Sequence, residues 1–428
     1  MSEKIIRDPV HDVIAFRLDR AGDALLFRLI NAAEFQRLRR IRQLGLASLA
    51  YPGADLSRYT HSLGVMETAR KILSRLSDFF PIDQYDRIVC IVAALLHDLG
   101  HGPFSHVFER VSGVVHEELT RRVILDPDSE VHHILADHDR ALPQRIADFL
   151  QCRPTRTFYC DIISSQLDAD RFDYLLRDNL MTGSRYGHFD LEWVLHALTI
   201  DPSTDRLAVT PKGVSAVETY LQARFNMYRH VYFHKVVRSA EGMVKLALQR
   251  AKRLLVQRRL DWPRETDPPY KALLGQRLTS AEYNDLDDLS ILHCFKLWSH
   301  GPDPVLAGLC KGLLFRRVFK TIDLSHFEDP KDARSAVTAI ERFVAEAGAE
   351  VGYEMFYDQP SSGGHDTFGD DLPDATEILV RADGGALTPL GAISPMSRLL
   401  HRQLMFRRLH IAPQWRDRAA QIIRPSSA

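Results

Sequence analysis

The chain has 428 residues, 45% hydrophobic and 26% charged, the balance of an ordinary globular protein with room for one large domain or two to three smaller ones. Its 55 basic and 56 acidic residues leave a net charge of −1, so no global field draws it onto nucleic acid or membrane. Five cysteines without a CxxC spacing argue against a disulfide framework, and with no signal-peptide region at the N-terminus and no membrane-length apolar run, a cytoplasmic location is expected.

Taken in chain order, residues 4–16 read as a strand or hairpin turning at Asp8-Pro9. From Leu26 a helical period takes over, with Leu26, Leu29, Ile30, Phe35, Leu38 and Ile41 on one face. Arg37, Arg39, Arg40 and Arg42 surround that face, as a solvated surface or as a phosphate-binding edge. After the Pro52-Gly53 turn, Arg58-Tyr-Thr-His61 opens another helix. Residues 83–97 form a buried helix, whose apolar run from Ile88 to Leu96 ends abruptly in His97-Asp98. Polar groups carried into an interior in this way need hydrogen bonds, a counter-charge or a metal. Gly100, Gly102 and Pro103 break the helix there, which can hold His101 and His106 near the same point.

Residues 115–125 make a further helix that includes His116, and 129–150 two helical pieces broken near Pro143. Leu167 to Asp178 then places four aspartates and two arginines among Leu, Phe and Tyr, too apolar for a purely solvated face. Residues 218–257 form one or two long helices in which Arg224, Tyr228 and Tyr232 share a face, as packing or as a pocket wall. A proline-rich linker follows near 261–270, and helices resume over 271–300. From about 306 short β-like runs (318–323, 350–357, 377–381) surround a helix near 331–347, with an exposed loop over 358–375. The expected organisation is mainly α: a helical core over 1–305 and a small α+β appendage over 306–428.

His61, His97, Asp98 and Asp170 form a plausible shell of two nitrogens and two oxygens for one divalent ion: Fe, Mn, Ni, Zn or Mg. Such an ion polarises a phosphoryl oxygen and lowers the pKa of bound water from about 15.7 to about 7. His101, His106, Glu109 and His116 stand near enough in sequence to move protons, and Arg58, Arg171, Arg224 and Lys235 to neutralise a polyphosphate. Together these point to phosphoester hydrolysis. No P-loop and no GxGxxG occurs, so ATPase and dinucleotide readings lack support.

The order His61…His97-Asp98…Asp170, with gaps of 36 and 72 residues, resembles the H…HD…D signature of the HD-domain phosphohydrolases. Three blocks sharpen the resemblance: Phe35 to Gly45 (FQRLRRIRQLG), His97 to His106 (HDLGHGPFSH) and Asp168 to Asp178 (DADRFDYLLRD). They are similar to the deoxynucleoside triphosphate triphosphohydrolase branch, which includes enzymes with fused SAM and HD domains. No SAM domain is expected ahead of the core in this chain. The resemblance implies an HD-domain helical core, the four ligands on one metal, and His101, His106 and His116 lining the pocket, with His106 and His116 as proton-transfer candidates. It further implies Gln43 at the sugar edge, and Arg58, Arg171, Tyr174, Asp178, Arg224, Tyr232 and Lys235 on phosphates or ribose. The implied reaction is water attack at the α-phosphorus of a dNTP, releasing deoxynucleoside and triphosphate.

Members of this branch are often oligomers, dimers or tetramers, gated by a second nucleotide near Gln36 and Arg39. Where guanine-reading members carry an aspartate, this chain has Asn31, whose amide is poorly suited to guanine's donor edge, and Arg7 offers no matching amide side chain. Two other readings stand beside this one. An HD nuclease on single-stranded DNA 3′ ends, or a hydrolase of signalling nucleotides, would use the basic runs Arg37–Arg42 and Arg250–Arg259; no GYP block follows the HD pair. A non-catalytic nucleotide sensor is disfavoured by the intact His61, His97, Asp98 and Asp170.

Overall fold

The structure, a computed structural model, describes residues 3–360, 377–400 and 404–423, apart from the side chain of His106. The loop expected over 358–375 lies, from 361 onward, outside the described residues.

The chain opens with the antiparallel hairpin β1 (Glu3–Asp8) and β2 (Asp12–Arg17), as its turn residues suggest. Helices follow as α1 (Ala21–Asn31), α2 (Ala33–Arg37), α3 (Arg58–Ser77), α4 (Gln84–Leu96), α5 (His106–Ser112), α6 (His116–Leu125), α7 (Glu130–His138), α8 (Leu142–Phe149), α9 (Thr157–Ile163) and α10 (Ala169–Thr182). The two pieces expected over 129–150 are α7 and α8, and Pro143 falls in the first turn of α8, where its missing N–H costs nothing. Beyond them come α11 (Leu191–Ala197), the hairpin β3 (Leu198–Asp201) and β4 (Arg206–Val209), then α12 (Val214–Met227) and α13 (Lys235–Val256), with a π-turn over Tyr228–Tyr232 between the last two.

At the centre, α3 packs between α4 and α10. Val89 to Leu96 of α4 is buried on every side, which explains its unbroken apolar sequence. Asp83 caps that helix by accepting from the N–H groups of Tyr85 and Asp86. Asp168 caps α10 through the N–H of Arg171 at 2.7 Å, and Gly183 ends it at φ 67°. Gly64 lets α3 and α10 meet closely: a Cβ there would stand 1.8 Å from Asp173 Oδ1.

A second apolar core joins α13 to α14 (Pro268–Leu273), α15 (Ser280–Asn284), α16 (Asp288–Trp298) and α17 (Pro304–Leu314). A third lies between α18 (Pro330–Glu346), the helix Arg416–Ile423 and a three-stranded antiparallel sheet. That sheet has β5 (Lys320–Asp323) and β6 (Met355–Asp358) on either side of the strand Arg408–Ile411. The β-like run 350–357 is only half strand: Val351–Glu354 is a helical turn, because the partner strand has residues to pair only with Met355–Asp358. Strand Leu379–Arg381 leaves this region and adds in parallel to β4.

Cys152 and Cys160 are bridged, with Cα atoms 5.2 Å apart, which corrects the expectation of a chain without disulfides; the turn between α8 and α9 brings them together, and no spacing rule marks it. Among the described residues, no helix is long and apolar enough to cross a membrane.

Candidate active site

The abrupt end of α4 delivers His97 and Asp98 into a cavity of about 310 Å³ beside the first turns of α3 and α10, which contribute Arg58, His61 and Asp170. Ligating atoms of His61, His97 and Asp170 lie within 4.8 Å of one another. Asp170 Oδ1 is 2.8 Å from His61 Nε2 and 3.6 Å from His97 Nε2. Asp98 completes the group, with Oδ1 3.3 Å from His97 Nε2 and Oδ2 3.8 Å from His61 Nε2.

Both imidazoles are oriented from behind. His97 Nδ1 meets the carbonyl of Ala94 at 2.8 Å, and His61 Nδ1 meets Asp173 Oδ2 at 2.9 Å, so each ring turns Nε2 toward the cavity. Metal-ligating histidines are ordinarily held in this way. His97 Nε2 is buried and has no hydrogen-bond partner among the described residues, although two carboxylates face it. An orphaned imidazole nitrogen, a second one bridged to a carboxylate, and mixed N/O donors fit a divalent cation. Burial alone would lower the His61 pKa, but its bonds to Asp170 and Asp173 push it up to about 10.

Asp173 is buried, and it also faces His11 Nε2 at 2.9 Å and Arg177, which in turn grips Asp8 through both terminal nitrogens. The first hairpin is thereby tied to the back of His61.

Beside the ligands, the rings of His101 and His116 stack at 3.8 Å and 17°. Burial, then the charges of Arg58 and His116, hold the His101 pKa well below its ordinary value, and its Nε2 lies 3.1 Å from Asp98 Oδ1. For His116 burial is outweighed by Glu109, 2.7 Å from Nδ1, and the pKa rises. The two stacked histidines thus carry opposed shifts. The side chain of His106 lies outside what the structure describes.

Arg58 donates to Asp98 Oδ2 at 2.5 Å and to Ser105 Oγ through two nitrogens at 3.0 and 2.8 Å. Ser105 and Phe104 both have positive φ, 54° and 53°, a costly conformation for residues with side chains.

The same cavity is lined by Gln43, Tyr174, Asp178, Tyr228 and Tyr232. Asp178 Oδ2 accepts from Tyr232 at 2.9 Å, while Asp178 Oδ1 and Gln43 Oε1 are buried without partners among the described residues. Burial pushes the Asp178 pKa up to about 7 against the bond from Tyr232.

Three expected phosphate ligands lie outside the lining. Arg171 turns back to Asp168 Oδ2 (2.5 Å) and the Ser165 carbonyl, Arg224 Nη1 donates to Gln166 Oε1 (2.5 Å), and Lys235 is exposed at the start of α13. Arg224 keeps its place beside Tyr228, 5.7 Å from that ring, while a π-turn carries the chain on from Tyr228 to Tyr232.

Lining residues not singled out by sequence include Arg121, Glu117 and Gln151. Arg121 shares a helix face with His116, Glu117 and Thr120, a periodicity that was open to notice; Gln151 is brought in from the end of α8 by tertiary packing alone.

Asn31 is exposed and turns its amide to the Phe27 carbonyl of its own helix. Gln36 and Arg39 pair at 2.8 Å, and Arg39 stacks 3.6 Å over the Tyr59 ring. The arginine run is neither of the alternatives as a whole: Arg37 is 1% exposed and donates to the carbonyls of Leu286, Leu99 and His101.

The HD domain family model matches residues 58–178, and the HD associated region matches 189–260. The uncharacterized protein YwfO of Bacillus subtilis is 38% identical over 369 residues, 86% of this chain and 82% of the relative. A deoxynucleoside triphosphate triphosphohydrolase SAMHD1 homolog of Dictyostelium discoideum is 31% identical over 305 residues, 66% of this chain but only 56% of the relative. A crystal structure of a phosphohydrolase from Bacteroides thetaiotaomicron superposes with a TM-score of 0.81 at 27% identity, covering 96% of this chain and all of the other. With the matched region spanning all four candidate ligands on a mainly α fold, the chain belongs to the HD-domain phosphohydrolases.

Proposed function

We propose that the protein hydrolyses deoxynucleoside triphosphates to deoxynucleoside and triphosphate. The observation that carries this reading is one cavity with the His61, His97, Asp98 and Asp170 group and the His101–His116 stack on one side, and two unsatisfied buried acceptors, Asp178 Oδ1 and Gln43 Oε1, on the other. Hydroxyl donors of a sugar would satisfy those acceptors, and the volume falls at the lower end for a small-molecule site. The name of the Dictyostelium relative agrees with this substrate.

His61, His97, Asp98 and Asp170 would hold a divalent cation, which when bound supplies Lewis acidity toward a phosphoryl oxygen. Arg58 places a cation beside that group and compensates negative charge on the phosphoryl oxygens. His101 and His116, stacked beside that group, are placed to move protons between an incoming water and the 5′ oxygen, which takes a proton as its bond to the α-phosphorus breaks. Tyr174, Tyr228 and Tyr232 enclose the sugar. A second nucleotide at Gln36 and Arg39 gates activity in an oligomer, and Asn31 disfavours guanine there.

Purified protein with Mn²⁺ is given each dNTP singly, then all four together, beside an Asp170→Ala control, and products are separated by chromatography. Deoxynucleoside plus triphosphate, absent in the control, is the expected result; appearance only in the mixture adds gating. No turnover of any dNTP, with shortening of a labelled single-stranded oligonucleotide, would replace this reading with a nuclease.

A further inference from the structure

The loop between α4 and α5 carries Asp98, His101 and the strained Phe104–Ser105 turn, and closes short turns of its own, from the His101 N–H to the Asp98 carbonyl (3.1 Å) and from the Ser105 N–H to the Gly102 carbonyl (3.0 Å). Thr120 Oγ1 meets the Gly100 N–H (2.8 Å) and the His97 carbonyl (3.1 Å), and Arg37, Tyr283 and Asp288 grip four more of its backbone groups. Tyr283 OH donates to the Gly100 carbonyl at 2.7 Å, and Arg37 donates to the carbonyls of Leu99 (3.3 Å) and His101 (2.6 Å). The N–H of Phe104 donates to Asp288 Oδ1 at 2.8 Å. Arg37 is itself fixed by the Leu286 carbonyl at 3.0 Å and by the Tyr283 ring, 4.1 Å beneath its guanidinium. The second oxygen of Asp288 accepts from the Arg42 N–H at 3.0 Å, and Phe104 lies parallel to Phe295 of α16. Arg37, Tyr283 and Asp288 are all buried.

Residues 283–288 lie outside both regions that match family models. They nonetheless reach the reacting end of the cavity through a short chain of contacts. Asp288 holds the amide of Phe104, the next residue is Ser105, Ser105 Oγ takes two bonds from Arg58, and Arg58 takes Asp98. Two consecutive positive φ values persist only where surroundings over-determine them, and Asp288 is the side chain that meets the N–H of Phe104, the first of the pair.

We infer that Tyr283 and Asp288 are positioning residues for the catalytic loop, and that Asp288 sets the placement of Arg58 through the Phe104–Ser105 turn. The kinetic side of this inference rests on the phosphohydrolase reading; the structural side does not.

The test uses full-length Asp288→Asn, which keeps the shape but turns an amide N–H₂ toward a backbone donor, and Tyr283→Phe, which removes one hydrogen bond. Hydrogen exchange by mass spectrometry is followed in peptides over 99–108 and over α18. Exchange faster by about tenfold in the first and unchanged in the second is expected, because local opening frees the loop without unfolding the rest. Uniform acceleration, or none, would overturn the inference. In parallel, kcat with Mn²⁺ is measured on dNTPs and on bis(p-nitrophenyl) phosphate for Asp288→Asn, Arg58→Lys and the double variant.

A loss of roughly ten- to hundredfold in Asp288→Asn is expected, with little further loss when it is added to Arg58→Lys. Losses that multiply would show that Asp288 does not act through Arg58. Turnover of the diester but of no dNTP would remove the proposed substrate while leaving this cycle measurable, and the exchange result stands without any turnover.

Discussion

Asp173 is not among the residues lining the active-site cavity, yet the structure makes its loss expensive. Its carboxylate meets His61 Nδ1 (2.9 Å), His11 Nε2 (2.9 Å), and Arg177 Nε (2.8 Å) and Nη2 (2.9 Å), and none of these side chains is more than 1% exposed. Asp173→Asn keeps the volume, removes the charge and places an N–H₂ among donors. Breaking a buried ion pair from one side costs about 3–5 kcal/mol. Arg177 retains both oxygens of Asp8, so the lower end, about 3 kcal/mol, is expected. Freed from its anchor, His61 no longer presents Nε2 to the ion, and Mn²⁺ affinity falls about 10- to 100-fold.

Urea unfolding of metal-free protein measures the first effect, and calorimetric Mn²⁺ titration of the folded variant the second. Acidity checks the sign. Burial would raise the Asp173 pKa, but Arg177 and the bonds from His11 and His61 hold it well below the ordinary range. Its contribution is therefore complete above the unfolded carboxylate value and fades as pH falls toward the folded one, so the two proteins converge in stability on acidification. A folded variant with wild-type Mn²⁺ affinity would refute the assignment of His61's orientation to Asp173.

Asp178 titrates in the opposite sense. With a folded pKa pushed to about 7 from 3.8, native protein holds a proton that unfolded chain releases, so stability declines as pH rises through that window and levels off above it. Asp178→Asn should flatten that slope in pH-dependent unfolding, and should also erase any limb near pH 7 in the KM profile. Gly64→Ala is expected to destabilise by about 3 kcal/mol, although alanine favours helices, because its Cβ would collide with Asp173 and Arg177; thermal unfolding that moves upward instead would contradict the packing of α3 on α10. Reducing the Cys152–Cys160 bridge opens a loop of eight-residue separation, worth about 2–3 kcal/mol by chain entropy. Dithiothreitol should lower the stability of the wild type and leave Cys152→Ser unmoved, with KM rising more than kcat falls because Gln151 and Ser164 of the cavity wall flank that loop.

The candidate ligands were legible in the linear chain chiefly where they interrupt a pattern that apolar packing would otherwise complete, while His61 stood out only beside His97-Asp98. His97-Asp98 ends a run of buried residues, and Asp170 stands inside an apolar helix face where an unpaired carboxylate is costly. Helix periods and the Asp8-Pro9 turn were readable for the same reason: local sequence dictates them. What sequence could not settle was which buried charge answers which. Asp173 and His11 are 162 residues apart, and Arg37 and Leu286 249, distances over which no spacing rule operates.

Arg171 reads as a phosphate ligand until the N-cap of its own helix claims it, and the segment 283–288 reads as a featureless return to helix until it closes on the catalytic loop. Residue type and periodicity determined the chemistry available to this chain. Only tertiary packing, by exchanging water for particular partners around each buried polar group, decided which of those residues face the cavity and which hold it in shape.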